Sequence, residues 1–234
     1  MAEVFDDWPD RYDRWFETPI GRLVRECEGR LRRELLAPEP GERILDVGCG
    51  TGVFTVDLLA AGAEVAGLER SLPMLRRLRE KAVGLLFQSV QGDIRALPFP
   101  GAAFDKAISV TVVEFLADAA GAVAELFRAT RPGGTIVVAT LNALSPWAAR
   151  RKIAAAEGHP IFQHVHFRSP EELAALAPNP PLLRTAVHFA KDEDADRARA
   201  VEAEGRAQEL LTGALLVARW VKPHGPALAE RGPL

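Results

Sequence analysis

Between Ile44 and Gly52 the chain reads Ile-Leu-Asp-Val-Gly-Cys-Gly-Thr-Gly, and no other stretch constrains its fold so tightly. Ile44, Leu45 and Val47 form a short apolar run behind the turn-forming Pro40-Gly41, which predicts a buried strand. The glycines follow at once. Beyond them Val53, Val56, Leu58 and Leu59 supply the apolar face of a helix expected over 53–61, with Thr51 as its N-cap. A strand, a glycine-rich turn and a helix in that order suit a nucleotide-like cofactor, because glycine admits a ligand close to the backbone and takes positive φ without strain.

The alternation continues. Strands are expected at 65–68, 85–90, 104–112 and 135–140, with helices at 73–81 and 117–129 between them. This spacing predicts an α/β fold: a Rossmann-like, seven-stranded, mostly parallel sheet with helices on both faces and an antiparallel last strand. The last two strands are read at 187–190 and 215–221, separated by a charged run at 191–209 expected to be a solvated helix or loop. Ahead of the sheet, Thr18-Pro19 opens a helix with Ile20, Leu23, Val24, Cys27, Leu31 and Leu35 at helical spacing, closed by Ala37-Pro38. The 234 residues suit one domain, with an aromatic and helical cap at 1–38, a core at 40–140 and an acceptor-side portion with the last strands at 142–234.

The glycine spacing separates two cofactor classes. A dinucleotide fingerprint needs its third glycine where this chain has Val53, which disfavours a nicotinamide-dependent oxidoreductase. Asp46-x-Gly48-x-Gly50-x-Gly52 behind a buried strand instead resembles motif I of class I methyltransferases, which bind S-adenosylmethionine and release S-adenosylhomocysteine. In that family the turn, including Cys49 here, lies against the methionine and ribose. Glu69, 21 positions beyond Gly48, closes the second strand and matches the carboxylate that accepts from both ribose hydroxyls. Arg70 stands beside it. By the same resemblance Met74 and Ile94 pack near the adenine, Asp93 accepts from its amino group, and Thr111 ends the fourth strand at the site. Leu97-Pro98-Phe99 and Arg131-Pro132-Gly133-Gly134 continue the pattern of the small-molecule branch, which includes quinone-biosynthesis enzymes.

The acceptor is less legible. The resemblance covers 40–140 and matches the flanks only in layout. Residues 111–115 lack the Asp/Asn-Pro-Pro-aromatic tetrad of amino methyltransferases, and Phe115 stands where many small-molecule relatives carry histidine. Glu114, Tyr12, His164 and His166 are the candidates for proton transfer. Tyr12, Trp15, Phe16 and Phe115 are candidates for lid and substrate contact, from an N-terminal segment dense in aromatic side chains. His159, His164 and His166 lie close together in sequence, yet no cysteine or acidic partner accompanies them locally, and no metal is expected.

The partner expected is therefore a small-molecule or lipid-like methyl acceptor, with a non-catalytic cofactor-binding module as the alternative of another class. The balance of 29 basic against 32 acidic residues argues against general nucleic-acid binding. No apolar run has the ~20 residues of a membrane span, and Glu3, Asp6 and Asp7 contradict a signal peptide, so a cytoplasmic monomer or homodimer is expected.

Overall fold

Successive residues of the apolar run at 44–47 turn to opposite sides of a sheet, and both sides are dry. Ile44 joins one core cluster with Val137 and Val217, whereas Leu45 and Val47 join a second with Ile136, Leu216 and Trp220. A parallel strand covered on both faces reads as a continuous apolar run for this reason. A computed structural model describes residues 5–224; residues 1–4, where the expected cap begins, and 225–234, where the expected acceptor-side portion ends, lie outside the described residues.

The strands are β1 (Arg43–Val47), β2 (Glu64–Glu69), β3 (Phe87–Gln91), β4 (Phe104–Val110), β5 (Thr130–Leu141), β6 (Leu182–Ala186) and β7 (Leu215–Val221). Their order across the sheet is β3-β2-β1-β4-β5-β7-β6. β1 to β5 pair in parallel, and β7 runs antiparallel between β5 and β6, as the sequence predicts. The helices are α1 (Pro9–Glu17), α2 (Pro19–Leu36), α3 (Thr55–Ala60), α4 (Leu72–Lys81), α5 (Ala119–Ala129), α6 (Pro146–Ala156), α7 (Pro170–Ala174) and α8 (Ala195–Ala207). α2, α3, α4 and α8 contribute to the cluster around Ile44, while α5 and α7 contribute to the cluster around Leu45. α2 begins where Thr18 Oγ1 accepts from the Gly21 N–H at 3.1 Å, and ends at Ala37, which takes a left-handed φ of 46° before Pro38.

Four local expectations need correction. The helix after the glycine turn starts at Thr55 rather than Val53, because the Thr51 hydroxyl donates to Asp13 of α1 at 2.6 Å instead of capping. β4 stops at Val110, since Thr111 turns to φ 53°. The sixth strand occupies 182–186, not 187–190. Val187 turns the chain at φ 66°, and Phe189 is buried as loop, its carbonyl accepting from Trp147 Nε1 at 2.6 Å. The charged run is α8, but not wholly solvated: Ala198, Glu202 and Gly205 are buried, and Glu202 accepts from the His188 N–H at 2.9 Å. No helix among the described residues is long and apolar enough to cross a membrane.

Trp220 fixes the β7 side of the second cluster. It is 1% exposed, its ring lies 6.1 Å from that of Phe127, and its indole N–H donates to Asn179 O at 2.9 Å. Trp220→Ala is expected to cost about 3–5 kcal/mol, read from urea denaturation. A loss below about 1 kcal/mol contradicts this account of the core.

Candidate functional site

A cavity of about 770 Å³ opens across the carboxyl ends of the parallel strands. Its floor takes Gly48 to Gly50 after β1, Glu69 to Ser71 after β2, Gly92 to Ile94 after β3, Thr111 and Val112 after β4, and Leu141 at the end of β5. The chain runs outward from β1 to β3 and then returns to β4 on the other side of β1. At such a reversal the loops diverge and leave a crevice.

The three turn glycines have different tasks. All take positive φ, at 75°, 53° and 78° for Gly48, Gly50 and Gly52. A Cβ on Gly48 would stand 2.1 Å from Val112 Cγ2, and one on Gly52 would stand 2.1 Å from Leu78 Cδ1. These two glycines let the turn pack against the β4 loop and α4. Gly50 has nothing within 4 Å of a built Cβ and lines the cavity. It is the point where a ligand can approach bare backbone.

Glu69 gathers the site. One carboxylate oxygen accepts from the Gly50 N–H at 3.0 Å and the other from the Ser71 N–H at 2.8 Å, so the β1 turn and the start of α4 meet on one side chain. Burial raises its pKa and these amides oppose the rise. Each oxygen keeps acceptor capacity toward the cavity. Ser71 Oγ caps α4 at the Met74 N–H, placing Met74 on the cavity wall with Ile94. Asp93 also lines the cavity, clamped by Arg95 through contacts of 2.6 and 2.9 Å that lower its pKa to about 2; Arg70 lies 3.8 Å away. Asp46 sits beneath the turn and accepts from Thr55 Oγ1 at 2.7 Å, while burial raises its pKa to about 6. Cys49 lines the cavity as a neutral thiol, its pKa pushed up by burial. Thr111 holds a left-handed conformation that costs a β-branched residue about 1–3 kcal/mol, the kind of strain that clusters at functional sites.

Residues 45–138 match the family model of a methyltransferase domain. Over those residues the chain is a class I methyltransferase domain. It is 41% identical over 104 residues to malonyl-[acyl-carrier protein] O-methyltransferase of Serratia marcescens, covering 44% of this chain and 40% of that protein. It is 34% identical over 151 residues to demethylmenaquinone methyltransferase of Beutenbergia cavernae, covering 63% and 60%. The match thus spans about half the length of these curated relatives. A solved structure from Thermotoga maritima, described as a S-adenosylmethionine-dependent methyltransferase and possible histamine N-methyltransferase, superposes with a TM-score of 0.76 at 23% identity. The superposition covers 95% of this chain and 100% of that one, and shows a shared fold.

The N-terminal segment, ahead of the methyltransferase domain, roofs the cavity. Phe5, Trp8, Tyr12, Trp15 and Phe16 all line the cavity. Phe16 packs edge-on to Tyr12 at 5.2 Å, to Trp15 at 4.7 Å and to Phe54 at 5.5 Å, and Phe5 meets Phe115 at 5.2 Å. Three carboxylates tie this roof to the glycine turn and to α4. Asp6 accepts from Ser71 Oγ at 2.6 Å, Asp13 pairs with Lys81 at 2.7 Å besides accepting from Thr51, and Asp10 pairs with Arg77. Burial pushes the Tyr12 phenol up, so it stays protonated and makes a poor base.

Glu114 is brought into the cavity; His164 and His166 are not. Those two are exposed, and His166 Nε2 faces Glu172 at 3.7 Å. His159 is the histidine of that segment that reaches the cavity, stacked 4.3 Å from Phe162. Among the described residues no group of three His, Cys, Asp or Glu side chains is disposed to hold a metal.

Sequence reasoning missed the wall supplied by α2 and α6. Glu28 and Arg32 lie one helical turn apart beside the apolar stripe of α2, and that break in the polar face was the available signal. Arg32 stacks 3.3 Å from the Phe54 ring centroid, and burial lowers its pKa to about 10, leaving it charged at neutral pH. Trp147, Arg150 and Arg151 come from α6.

Burial raises the pKa of Glu28 and Glu114 to about 7, with Asp46 at about 6. The folded state therefore holds protons that the unfolded chain releases near pH 4, and stabilisation by these groups is lost as pH rises through 6 and 7. Asp93, with its lowered pKa, is fully ionised across that window. The ligand-free protein is expected to melt a few degrees lower at pH 8 than at pH 5, and Glu114→Gln to flatten the slope. Calorimetry at the two pH values checks this; a melting temperature that rises from pH 5 to 8 contradicts it.

Proposed function

We propose that the chain transfers a methyl group from S-adenosylmethionine to a small-molecule or lipid-like acceptor, leaving S-adenosylhomocysteine. The observation that carries this reading is Gly50: positive φ, open space where a side chain would stand, and an amide held by the Glu69 carboxylate. A bare turn next to a carboxylate with spare acceptor capacity fits a ligand whose hydroxyls and backbone-like atoms must come within van der Waals contact of the main chain. When bound, the cofactor supplies a sulfonium-activated methyl group.

In this reading Gly48, Cys49 and Gly50 hold the methionine and ribose end, with Asp46 and Gly52 fixing the turn from behind. Glu69 accepts from the ribose hydroxyls with Arg70 alongside, Met74 and Ile94 sandwich the base, and Asp93 faces its amino group. Thr111 lies at the opening toward the acceptor. Tyr12, Trp15, Phe16 and Phe115 exclude water and present aromatic faces to a cation. The protein's contribution to rate is then positioning, which by itself supplies much of the acceleration and needs no nucleophilic side chain. We infer that the cap, the core and the acceptor-side portion act as one unit, because all three contribute walls to the same cavity.

Calorimetric titration tests the reading. Wild-type protein is expected to bind S-adenosylmethionine and S-adenosylhomocysteine in preference to NADH. Glu69→Ala is expected to weaken both by about tenfold or more, the loss of a hydrogen-bonded charged acceptor. Gly50→Ala, whose methyl group enters open space and whose left-handed φ costs about 1–2 kcal/mol, is expected to weaken binding by about tenfold or more while the chain stays folded. Preferential NADH binding overturns the assignment. Cofactor binding without methyl-labelled product from any acceptor in a broad metabolite screen favours the non-catalytic module.

A further inference from the structure

Two residues that line the cavity each carry a buried polar atom with no partner among the described residues. Glu114, 1% exposed, uses Oε2 to accept from Thr140 Oγ1 at 3.2 Å, but its Oε1 is buried with no donor in reach. Arg151 Nη1 is buried with no acceptor. Both residues line the same cavity, and the Glu114 carboxylate acts on the Arg151 guanidinium electrostatically. Buried polar groups are satisfied in folded proteins as a rule, so an unmatched acceptor and an unmatched donor on two residues that line one cavity mark what its occupant brings.

The surroundings narrow that occupant. The guanidinium of Arg151 lies 5.7 Å from the Phe162 ring and 5.2 Å from that of Trp147. Phe162 stacks on His159, which lies 6.2 Å from Trp8, and Arg11 covers Trp8 at 4.4 Å. A row of aromatic rings, Trp8 tilted by 50° to His159 and His159 stacked on Phe162, is thus bounded by a cation at each end. Such a row suits a planar ring bearing an anion. Glu114 lies in the short 3₁₀ turn Val113–Phe115 that follows β4, beside the loop of Thr111, where the acceptor would meet the methyl donor.

We propose that Glu114 and Arg151 form the acceptor subsite, and that the acceptor is an aromatic carboxylate with a ring hydroxyl: the hydroxyl donates to Glu114 Oε1 and the carboxylate accepts from Arg151 Nη1. This rests on the methyl-transfer reading, and it assigns both side chains to positioning the acceptor. The cation takes the anionic group, and the carboxylate orients the hydroxyl toward the floor of the cavity. Glu28, the other carboxylate acting on Arg151, keeps the guanidinium balanced while the site is empty of acceptor.

The test is binding to protein saturated with S-adenosylhomocysteine, using 3,4-dihydroxybenzoate, benzoate and catechol as probes. 3,4-Dihydroxybenzoate is expected to bind at least about tenfold more tightly than either of the others, each of which lacks one of the two groups. Arg151→Gln is expected to erase its advantage over catechol, and Glu114→Met its advantage over benzoate, whereas Glu114→Gln, which keeps an acceptor oxygen, retains part of it. S-Adenosylhomocysteine affinity, measured on every variant, is expected to stay at the wild-type value and shows that each is folded. Equal binding of the three probes, no binding of 3,4-dihydroxybenzoate, or variants that weaken all three probes in proportion overturns the subsite. Failure of the wild-type protein to bind S-adenosylhomocysteine overturns instead the methyl-transfer reading beneath it.

Discussion

The Glu69 carboxylate, with the Gly50 amide on one oxygen and the Ser71 amide on the other, is the constraint on which the site depends. It ends β2, yet it fixes the turn that ends β1 and the helix that follows β2. Without that bridge the amide of Gly50 would lose its acceptor in a left-handed turn. Ser71 is secured at the same time, and its hydroxyl then both caps α4 and donates to Asp6 of the N-terminal roof. One side chain thus ties the turn, the wall that carries Met74, and the cover over both.

This explains why the glycine-turn side of the cavity was legible in the sequence. Its parts are backbone conformations and strand ends, and these leave local signals: glycines where φ must be positive or where Val112 and Leu78 press close, an acidic residue at a fixed distance, an apolar run covered on both faces. β1, β2, β4 and β5 were placed from those signals to within a few residues. The misplaced sixth strand shows the limit of the same logic. Val187 and Phe189 are as buried as any strand residue, but they lie in a turn beneath Trp147, and apolarity alone does not separate a buried loop from a buried strand. α8 misled in the opposite sense, because Glu202 is a charged residue buried to satisfy the His188 backbone.

The side of the cavity opposite the glycine turn is built from side chains that arrive from distant segments, and no spacing records their convergence. Glu28 and Arg32 come from a helix ahead of the sheet, Glu114 from the β4 loop, and Arg151 from α6. Each looks ordinary in sequence: a helical charge pair, a glutamate near a helix start, a basic run. Only packing reveals that burial has raised Glu28 and Glu114 to about 7 and lowered Arg32 to about 10. Holding several ionisable groups in a dry cavity is costly, and a chain selected for stability alone would replace them with apolar residues.

The roof joins the two sides. Its aromatic side chains face the turn and the wall opposite it, whereas its carboxylates Asp6, Asp10 and Asp13 all bind partners on the glycine-turn side: Ser71, Arg77, Thr51 and Lys81. Displacing the N-terminal segment therefore breaks contacts at Thr51, which follows Gly50, and at Ser71, whose amide is held by Glu69. A disturbance of the glycine turn loosens the cover, and opening of the cover frees the turn, because the same hydroxyls belong to both. Closure also does electrostatic work. With Tyr12, Trp15 and Phe16 in place, water is kept from Glu28 and Glu114, and the raised pKa of those carboxylates is a property of the closed roof as much as of the wall that bears them.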